Sequence, residues 1–187
     1  MRRLFSEFER QEVFIERGQP LESFMPVLQA DNAGEKSPVV ECSLRSVDYM
    51  RQELEGRFFH AHWKEVGQDK NWEPDADYPY YYSLERQGML MIVVLTVDGE
   101  PAGYFNMVIG PALHYRGKRI ASSDMFYICP QHRARYAVRL FRAAEAFAKA
   151  AGAGKMYIAF KIYKDITPLT KRLGFHHVED VVVKTLE

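Results

Sequence analysis

The sequence has few cysteines, no long apolar run and no net charge. Each of these absences argues against a class of protein. The 187 residues include only two cysteines, Cys42 and Cys129, which are too few and too far apart for a disulfide framework. We expect them to be reduced, buried thiols. No stretch of about eighteen apolar residues occurs, so no membrane span is expected. The first residues lack the apolar run of a secretory signal, which favours a cytoplasmic protein with no membrane partner.

Charge is balanced, with 25 basic and 25 acidic residues and a formal net charge of +0 at pH 7. Proteins that bind nucleic acids generally are usually basic, so no nucleic-acid partner is expected. The alternative is that the protein binds nucleic acid through the arginines at 133, 135, 139 and 142. Hydrophobic residues make up 47% of the chain, enough for one substantial core. We assign residues 37–187 to a single domain and treat the charged, poorly patterned residues 1–36 as an N-terminal extension whose structure the sequence does not specify.

Apolar periodicity predicts alternating helices and strands. The predicted strands are 89–97, 102–109, 120–129 and 155–162, followed by a last hairpin of 175–178 and 181–186. The predicted helices are 43–66, 78–87, 136–151 and 165–173. Asp98-Gly99 is a hairpin signal between the first two strands, and Ser46 is a candidate N-cap for the first helix. The strand–helix–strand crossover around residues 136–151 makes its two strands parallel.

A short run from residue 132 to residue 138 lies where the third strand leads into the long helix. The first turn of a helix has unpaired N–H groups and a positive dipole end, so it attracts anions. Small side chains at Ala134 and Ala137 allow close approach to the backbone, and Arg133 and Arg135 add positive charge. The sequence therefore predicts a phosphate site. The alternative is that the arginines face solvent and the alanines serve only as helix formers.

These residues carry a family resemblance. The segment Pro130-Gln-His-Arg-Ala-Arg-Tyr-Ala-Val-Arg-Leu resembles, without a gap, the acyl-CoA-binding motif P-E-Y-R-G-x-G-x-G/A of the GNAT acetyltransferase superfamily. It is most similar to a divergent phage and prophage branch, in which the run resembles P-E-H/Y-R-G-R-T-G-L-R-L. The resemblance covers about residues 60–187. Ala134 and Ala137 replace motif glycines, and Tyr136 stands where the family usually has glycine.

The resemblance implies an α/β (α+β) fold with a mixed, mostly antiparallel sheet of six or seven strands and helices on both faces. It implies acetyl-CoA as co-substrate, no metal, and an arm of the co-substrate lying between two splayed parallel strands. The implied cofactor-binding residues are the strand backbone at Phe126, Tyr127 and Ile128, and the helix start at Arg133, Ala134, Arg135, Tyr136, Ala137 and Val138. GNAT domains often pair, so a homodimer is an open possibility.

Acetyl transfer needs a base for the amine, a polarised carbonyl and a proton for the leaving thiolate. Asp124 is the first candidate for the base, and its alternative is a strand-edge carboxylate bonded to backbone. Glu65 is the second candidate, and its alternative is a solvated helix carboxylate. The family's usual acidic tyrosine, four residues before the final glycine, is replaced here by Thr170. Tyr163, or one of the tyrosines between 78 and 82, is left for that role, and nothing in the sequence selects among them.

The predicted function is an N-acetyltransferase that moves an acetyl group from acetyl-CoA to a primary amine by direct attack. The acceptor stays open among protein lysine, polyamine, aminoglycoside and small amine. The alternative is a GNAT-shaped phage or prophage protein that has lost transfer activity and binds a partner. The residues that favour this alternative are Ala134, Tyr136, Ala137 and Thr170.

Overall fold

A five-stranded sheet with helices on both faces forms the domain. The computed structural model describes residues 37–67 and 74–186. The predicted N-terminal extension, residues 1–36, and residues 68–73 therefore lie outside the described residues. The strands are β1 (Val40–Arg45), β2 (Leu90–Val97), β3 (Glu100–Pro111), β4 (Arg119–Ile128) and β5 (Ala153–Tyr157). The helices are α1 (Val47–Tyr49), a π-helix (Met50–Phe59), α2 (His60–Val66), α3 (Tyr78–Arg86), α4 (Pro130–Ala150) and α5 (Thr167–Arg172).

Strand order in the sheet is β1-β2-β3-β4-β5. All neighbours are antiparallel except β4 and β5, which are parallel because α4 connects them as a crossover. The β2–β3 turn uses left-handed backbone at Asp98 (φ 54°) and Gly99 (φ 84°), as the sequence predicted. The predicted α/β fold with a mixed, mostly antiparallel sheet is confirmed.

Five strands, rather than six or seven, occur in the described part of the chain. The predicted last hairpin, 175–178 and 181–186, forms no strand, and Val181, Val182 and Val183 are exposed. A run of β-branched residues becomes a strand only where it finds a partner edge, and here it has none.

Each face of the sheet has its own apolar core. The α4 side includes Phe105, Phe141 and Leu140, with the Phe141 ring edge-on to Phe105 at 5.2 Å between centroids. The opposite side packs Leu54 and Phe58 of the π-helix against the other face of the sheet. The two cores hold β4 rigidly between α4 and the N-terminal helices.

The first helical region begins later than predicted. Residues 43–45 belong to β1, which the sequence analysis did not predict, and helix starts at Val47. Ser46 is the N-cap, as predicted, and its hydroxyl accepts from the Tyr49 amide at 3.2 Å. The region continues through the π-helix to Val66.

Among the described residues, no helix is long and apolar enough to cross a membrane. Likewise, no group of three or more histidine, cysteine or carboxylate side chains within 37–67 and 74–186 could hold a metal ion. Cys42 and Cys129 are both free thiols and half-buried.

Candidate active site

A gap opens in the sheet between β4 and the chain that follows β5. The two strands pair only from Arg119–Ala153 to Ser122–Tyr157. Beyond this point, β4 continues to Ile128 while β5 has ended, whereas the sequence predicted a strand as far as residue 162. One contact bridges the start of the gap, where the Ala159 amide donates to the Ser123 hydroxyl at 3.0 Å. The edge of β4 that contains Phe126 and Tyr127 therefore lacks a β5 partner.

Asp124 lies at a β-bulge beside this gap. Asn106 of β3 pairs with Met125, and the next residue, Met107, pairs with Ser123, so Asp124 is the extra residue on β4. The side-chain alternation shifts at the same place. Ala121 and Phe126, five residues apart, both pack on the α4 side, which strict alternation forbids. A bulge of this kind re-aims one side chain and is frequent next to active sites.

The carboxylate of Asp124 has one hydrogen-bond partner in the described part of the chain. The Tyr81 hydroxyl donates to Asp124 Oδ2 at 2.6 Å. Asp124 is accessible to solvent, and protein atoms around it still remove part of its hydration. Burial raises the pKa of Asp124 above its usual value, and the hydrogen bond from Tyr81 offsets part of that rise. A carboxylate with a raised pKa and a free oxygen suits a general base.

An aromatic wall of Tyr104, Tyr127 and His62 adjoins Asp124. His62 Nδ1 lies 2.7 Å from the buried Tyr104 hydroxyl, and the His62 ring packs on Tyr127 at 5.3 Å. Burial lowers the pKa of His62 to about 4, so His62 is neutral at pH 7. Burial chiefly, together with Tyr81 and the Asp124 carboxylate, raises the pKa of Tyr104. Sequence reasoning assigned no role to Tyr104, because its place beside His62 depends on contacts between residues 42 positions apart.

Glu65 and Arg133, predicted for different roles, bind each other. Arg133 Nη2 lies 2.6 Å from Glu65 Oε1, and the side chains are 39% and 26% exposed. The same guanidinium donates from Nε to the Ile128 carbonyl at 2.7 Å and lies over the Tyr127 ring at 5.3 Å. In this structure Arg133 therefore clamps α2 to the β4–α4 joint, and Glu65 is an ion-pair partner rather than a free base.

The helix that contains the predicted anion-binding run starts earlier than predicted, because α4 begins at Pro130 and not near residue 136. The prediction that residues 132–138 bind a phosphate stays a prediction. Proline suits the first position of a helix, and no glycine follows to delay the helix. The amides of residues 134–138 consequently donate to carbonyls four residues back. Pro130 has no N–H, and the His132 amide donates to the Cys129 carbonyl at 2.9 Å.

The side chains of the predicted cofactor residues divide between surface and core. Ala134 and Arg135 are exposed, whereas Tyr136 is 8% exposed and lies in the α4-side core. Ala137 and Val138 pack partly buried against the same core. Tyr136 extends the buried stripe of α4 by one turn, which is why this position does not need glycine in this chain.

Phe126 and Ile128 also point into the α4-side core, and Tyr127 points to the opposite side. Only their backbone remains for a ligand in the gap. The prediction that this backbone pairs with the co-substrate arm stays a prediction, which the absent β5 partner supports.

Two of the acid candidates, Tyr163 and Tyr81, already donate to protein oxygens, as does Thr170, which replaces the family's usual tyrosine. The Tyr163 hydroxyl donates to the Val66 carbonyl at 2.7 Å, so it satisfies the C-terminal end of α2. Thr170 is buried and its hydroxyl donates to the Thr167 carbonyl at 3.2 Å. Burial and the adjacent Asp124 carboxylate raise the pKa of Tyr81, which makes Tyr81 a poor general acid.

A mixed sheet whose parallel strands diverge beside a bulged carboxylate defines an acyltransferase-like fold and site. A family model agrees: residues 48–175 match the acetyltransferase (GNAT) family. The chain belongs to this family, as the resemblance indicated. Among curated proteins, no sequence matches the chain.

Solved structures share the fold at low sequence identity. The ribosomal-protein-alanine N-acetyltransferase of Brucella melitensis biovar Abortus 2308 is 17% identical, with a TM-score of 0.59 over 79% of this chain and 99% of that one. An aminoglycoside N-acetyltransferase, AAC(6')-Iy, in complex with CoA is 15% identical, with a TM-score of 0.58 over 81% and 97%. The glucosamine-6-phosphate N-acetyltransferase of Arabidopsis thaliana is 10% identical, with a TM-score of 0.59 over 79% and 99%.

Proposed function

We propose that the protein transfers an acetyl group from acetyl-CoA to a primary amine, with Asp124 as the base. The observation that carries this proposal is the position of Asp124. Its side chain leaves the bulge of β4 at the open gap, with Oδ2 held by Tyr81 at 2.6 Å. Membership of the family supports acyl transfer as the general chemistry, and this position supplies a group that can take the amine's proton.

The reaction we propose is a direct attack in a ternary complex. A bound acyl thioester supplies the acetyl group, and the amine nitrogen forms the new C–N bond as the C–S bond breaks. Because the acceptor arrives as an ammonium ion, its nitrogen loses two protons in all. Asp124 takes the first, whose loss frees the lone pair for attack, and the second passes to solvent as the C–S bond breaks. The unpaired backbone of β4 at residues 126–128 is the part of the chain that would hold the co-substrate arm and polarise its carbonyl. In this scheme the leaving thiolate takes its proton from solvent, and the Tyr163 hydroxyl keeps its hydrogen bond to the Val66 carbonyl.

The acceptor we propose is a cationic amine. The Asp124 carboxylate lies at the hydroxyl of the half-buried Tyr81, and carboxylates and aromatic rings both attract a positively charged nitrogen. Protein lysine, polyamine, aminoglycoside and small amine fit this chemistry equally. A cytoplasmic protein that acts alone or as a homodimer, without a nucleic-acid or membrane partner, belongs to the same proposal.

The second candidate function is that of a divergent phage or prophage protein which has lost transfer and binds a partner. One observation favours it. The amides of residues 134–138, where a diphosphate would be held in the resemblance, lie inside α4 and donate within the helix. A protein with this fold that does not bind the nucleotide would keep the sheet but would not catalyse acetyl transfer.

Titration calorimetry with acetyl-CoA and with acetyl-pantetheine, which lacks the nucleotide, separates the two functions. We expect both ligands to bind with similar affinity, because the β4 edge holds the arm and α4 adds little for the diphosphate. Absence of binding by either ligand at millimolar concentration would leave only the second candidate.

Turnover is then measured as free CoA thiol released with a panel of primary amines. Burial raises the pKa of Cys42 to about 11 and also raises that of Cys129, so the protein's own thiols add little to the signal. Asp124→Asn should lower kcat/KM by roughly 10²–10⁴-fold if Asp124 is the base. The midpoint temperature of thermal unfolding should stay unchanged in this variant. Wild-type turnover in this variant would refute that role.

A further inference from the structure

Two adjacent tyrosines of α3 make the same contact in two different places. The Tyr81 hydroxyl donates to Asp124 Oδ2 at 2.6 Å, and the Tyr82 hydroxyl donates to Asp48 Oδ1 at 2.5 Å. Asp124 lies at the bulge beside the gap, whereas Asp48 lies on α1, in the first helical turn after Ser46. One helix therefore offers a tyrosine–carboxylate pair in the candidate site and a matched pair outside it.

We propose that Tyr81 is a positioning residue for Asp124, which holds Oδ2 through its hydroxyl and leaves Oδ1 for the acceptor amine. This inference deepens the proposed function and depends on it, since it concerns the group that takes the amine's proton. Each of the two side-chain torsions of an aspartate can adopt more than one preferred value. A fixed donor restricts them, and a base must lie within hydrogen-bond reach of the proton that it takes.

The donor is itself held firmly. Asp77 caps α3 by accepting from the Tyr80 amide at 3.0 Å, and Leu84 anchors the helix in the core. The Tyr81 ring is half-buried and lies 6.4 Å from the Tyr78 ring between centroids. The hydroxyl consequently has little freedom, and the position of Oδ2 follows the position of α3.

The hydrogen bond also acts on the proton affinity of Asp124. A donor to the ionised form lowers a carboxyl pKa, against the rise that burial causes. The titratable groups that face Asp124 are Tyr81 from α3 and Tyr104 from β3, and Tyr104 in turn contacts His62 of α2. Both tyrosines have raised pKa values and His62 has a pKa of about 4, so all three stay neutral between pH 5 and 9. Within residues 37–67 and 74–186, no cation pairs with Asp124.

The first test measures the Asp124 carboxyl directly and needs no catalysis. Side-chain carboxyl resonances of the full chain are followed by carbon NMR against pH, and Asp124→Asn identifies the resonance of Asp124. Tyr81→Phe should raise the Asp124 pKa, because the donor to the ionised form is lost, whereas Tyr82→Phe should leave it unchanged. Each variant loses one hydroxyl and one hydrogen bond, so the midpoint temperature of thermal unfolding should fall by a similar, small amount in both.

The second test follows the pH dependence of kcat/KM. The acidic limb should move upward in Tyr81→Phe by the same amount as the Asp124 pKa, and stay in place in Tyr82→Phe. An Asp124 pKa that does not move, or that moves equally in both variants, would overturn the inference. If the Asp124 pKa moves but the acidic limb stays, then Tyr81 does control the carboxyl, and the base role in the proposed function is the part that fails.

Discussion

The ion pair between Glu65 and Arg133 can be tested as a clamp by a double-mutant cycle. The variants are Glu65→Gln, Arg133→Gln and the double variant, and their free energies of unfolding are measured in urea. Double-mutant cycles isolate a pairwise term when the single changes add no new contact. The exposed Arg142–Glu145 pair, at 2.8 Å and 51% and 46% exposed, serves as the control cycle.

Magnitudes follow from the exposure of each pair. Exposed ion pairs contribute roughly 0.2–1 kcal/mol. The pair of Arg133 and Glu65 is shorter, 2.6 Å, and more buried, so we expect about 1 kcal/mol. Arg133 also donates to the Ile128 carbonyl and lies over Tyr127. These two contacts add about 1 and about 0.5 kcal/mol, so Arg133→Gln should cost about 2–3 kcal/mol in total and Glu65→Gln about 1. The control cycle should give about 0.3–0.5 kcal/mol.

A different result would restore the role that the sequence suggested for Arg133. If Arg133 faces a diphosphate in solution, its coupling to Glu65 should fall to the control value or below. Arg133→Gln should then reduce the affinity for CoA strongly while Glu65→Gln leaves it unchanged. That combination, seen by calorimetry and urea unfolding together, would refute the clamp.

Three further predictions concern stability. Gly103→Ala should destabilise by several kcal/mol in urea unfolding, because the added Cβ would lie 2.7 Å from the Tyr127 carbonyl oxygen; stability within about 0.5 kcal/mol of wild type would contradict this packing. Phe141→Ala should cost about 3–5 kcal/mol, since Phe141 is 3% exposed, and a cost under 1 kcal/mol would argue against the α4-side core. His62 binds a proton near pH 6.5 when unfolded and only near pH 4 when folded, so stability should fall by up to about 3 kcal/mol as pH drops across that window. His62→Gln should lose this part of the pH dependence.

Local sequence pattern predicted most of the fold because burial repeats with the period of each element. The apolar run at 89–97 became β2, buried along nearly all its length, and Asp98-Gly99 supplied the left-handed turn. The buried residues of α4 fall at the predicted steps of three and four, including Leu140, Phe141 and Ala144. These features depend on neighbours within a few positions, which the sequence shows directly.

The start of α4 was predicted wrongly for a different reason. The predicted start near residue 136 followed the apolar periodicity, and the polar residues 130–135 show no apolar stripe. Pro130 and Ala134 nevertheless favour a helix that begins at residue 130. Helix propensity was thus the better guide than apolar periodicity at this first turn.

The candidate site depends on partners far apart in the chain, and for that reason little of it could be predicted. Asp124 was identified as the base candidate, but its bulge arises from the register with β3. The contact between Glu65 and Arg133 joins residues separated by 68 positions. Tyr81 was one of several tyrosines in a row, and only the docking of α3 shows which of them meets Asp124. No local pattern contains that information.

The short helix α2 connects these contacts, although none of its residues is buried. Its His62 meets the aromatic wall, its Glu65 holds Arg133, and its last carbonyl accepts from Tyr163. Because no residue of α2 is fully buried and one of its contacts is the ion pair with Arg133, a competing charge can weaken its attachment. If a diphosphate takes the guanidinium of Arg133 from Glu65, then binding at the start of α4 and the position of α2 are thermodynamically linked. The double-mutant cycle repeated at saturating CoA measures this link: a coupling that disappears with CoA means that Arg133 has changed partners, and a coupling that persists means that the co-substrate is held by β4 alone.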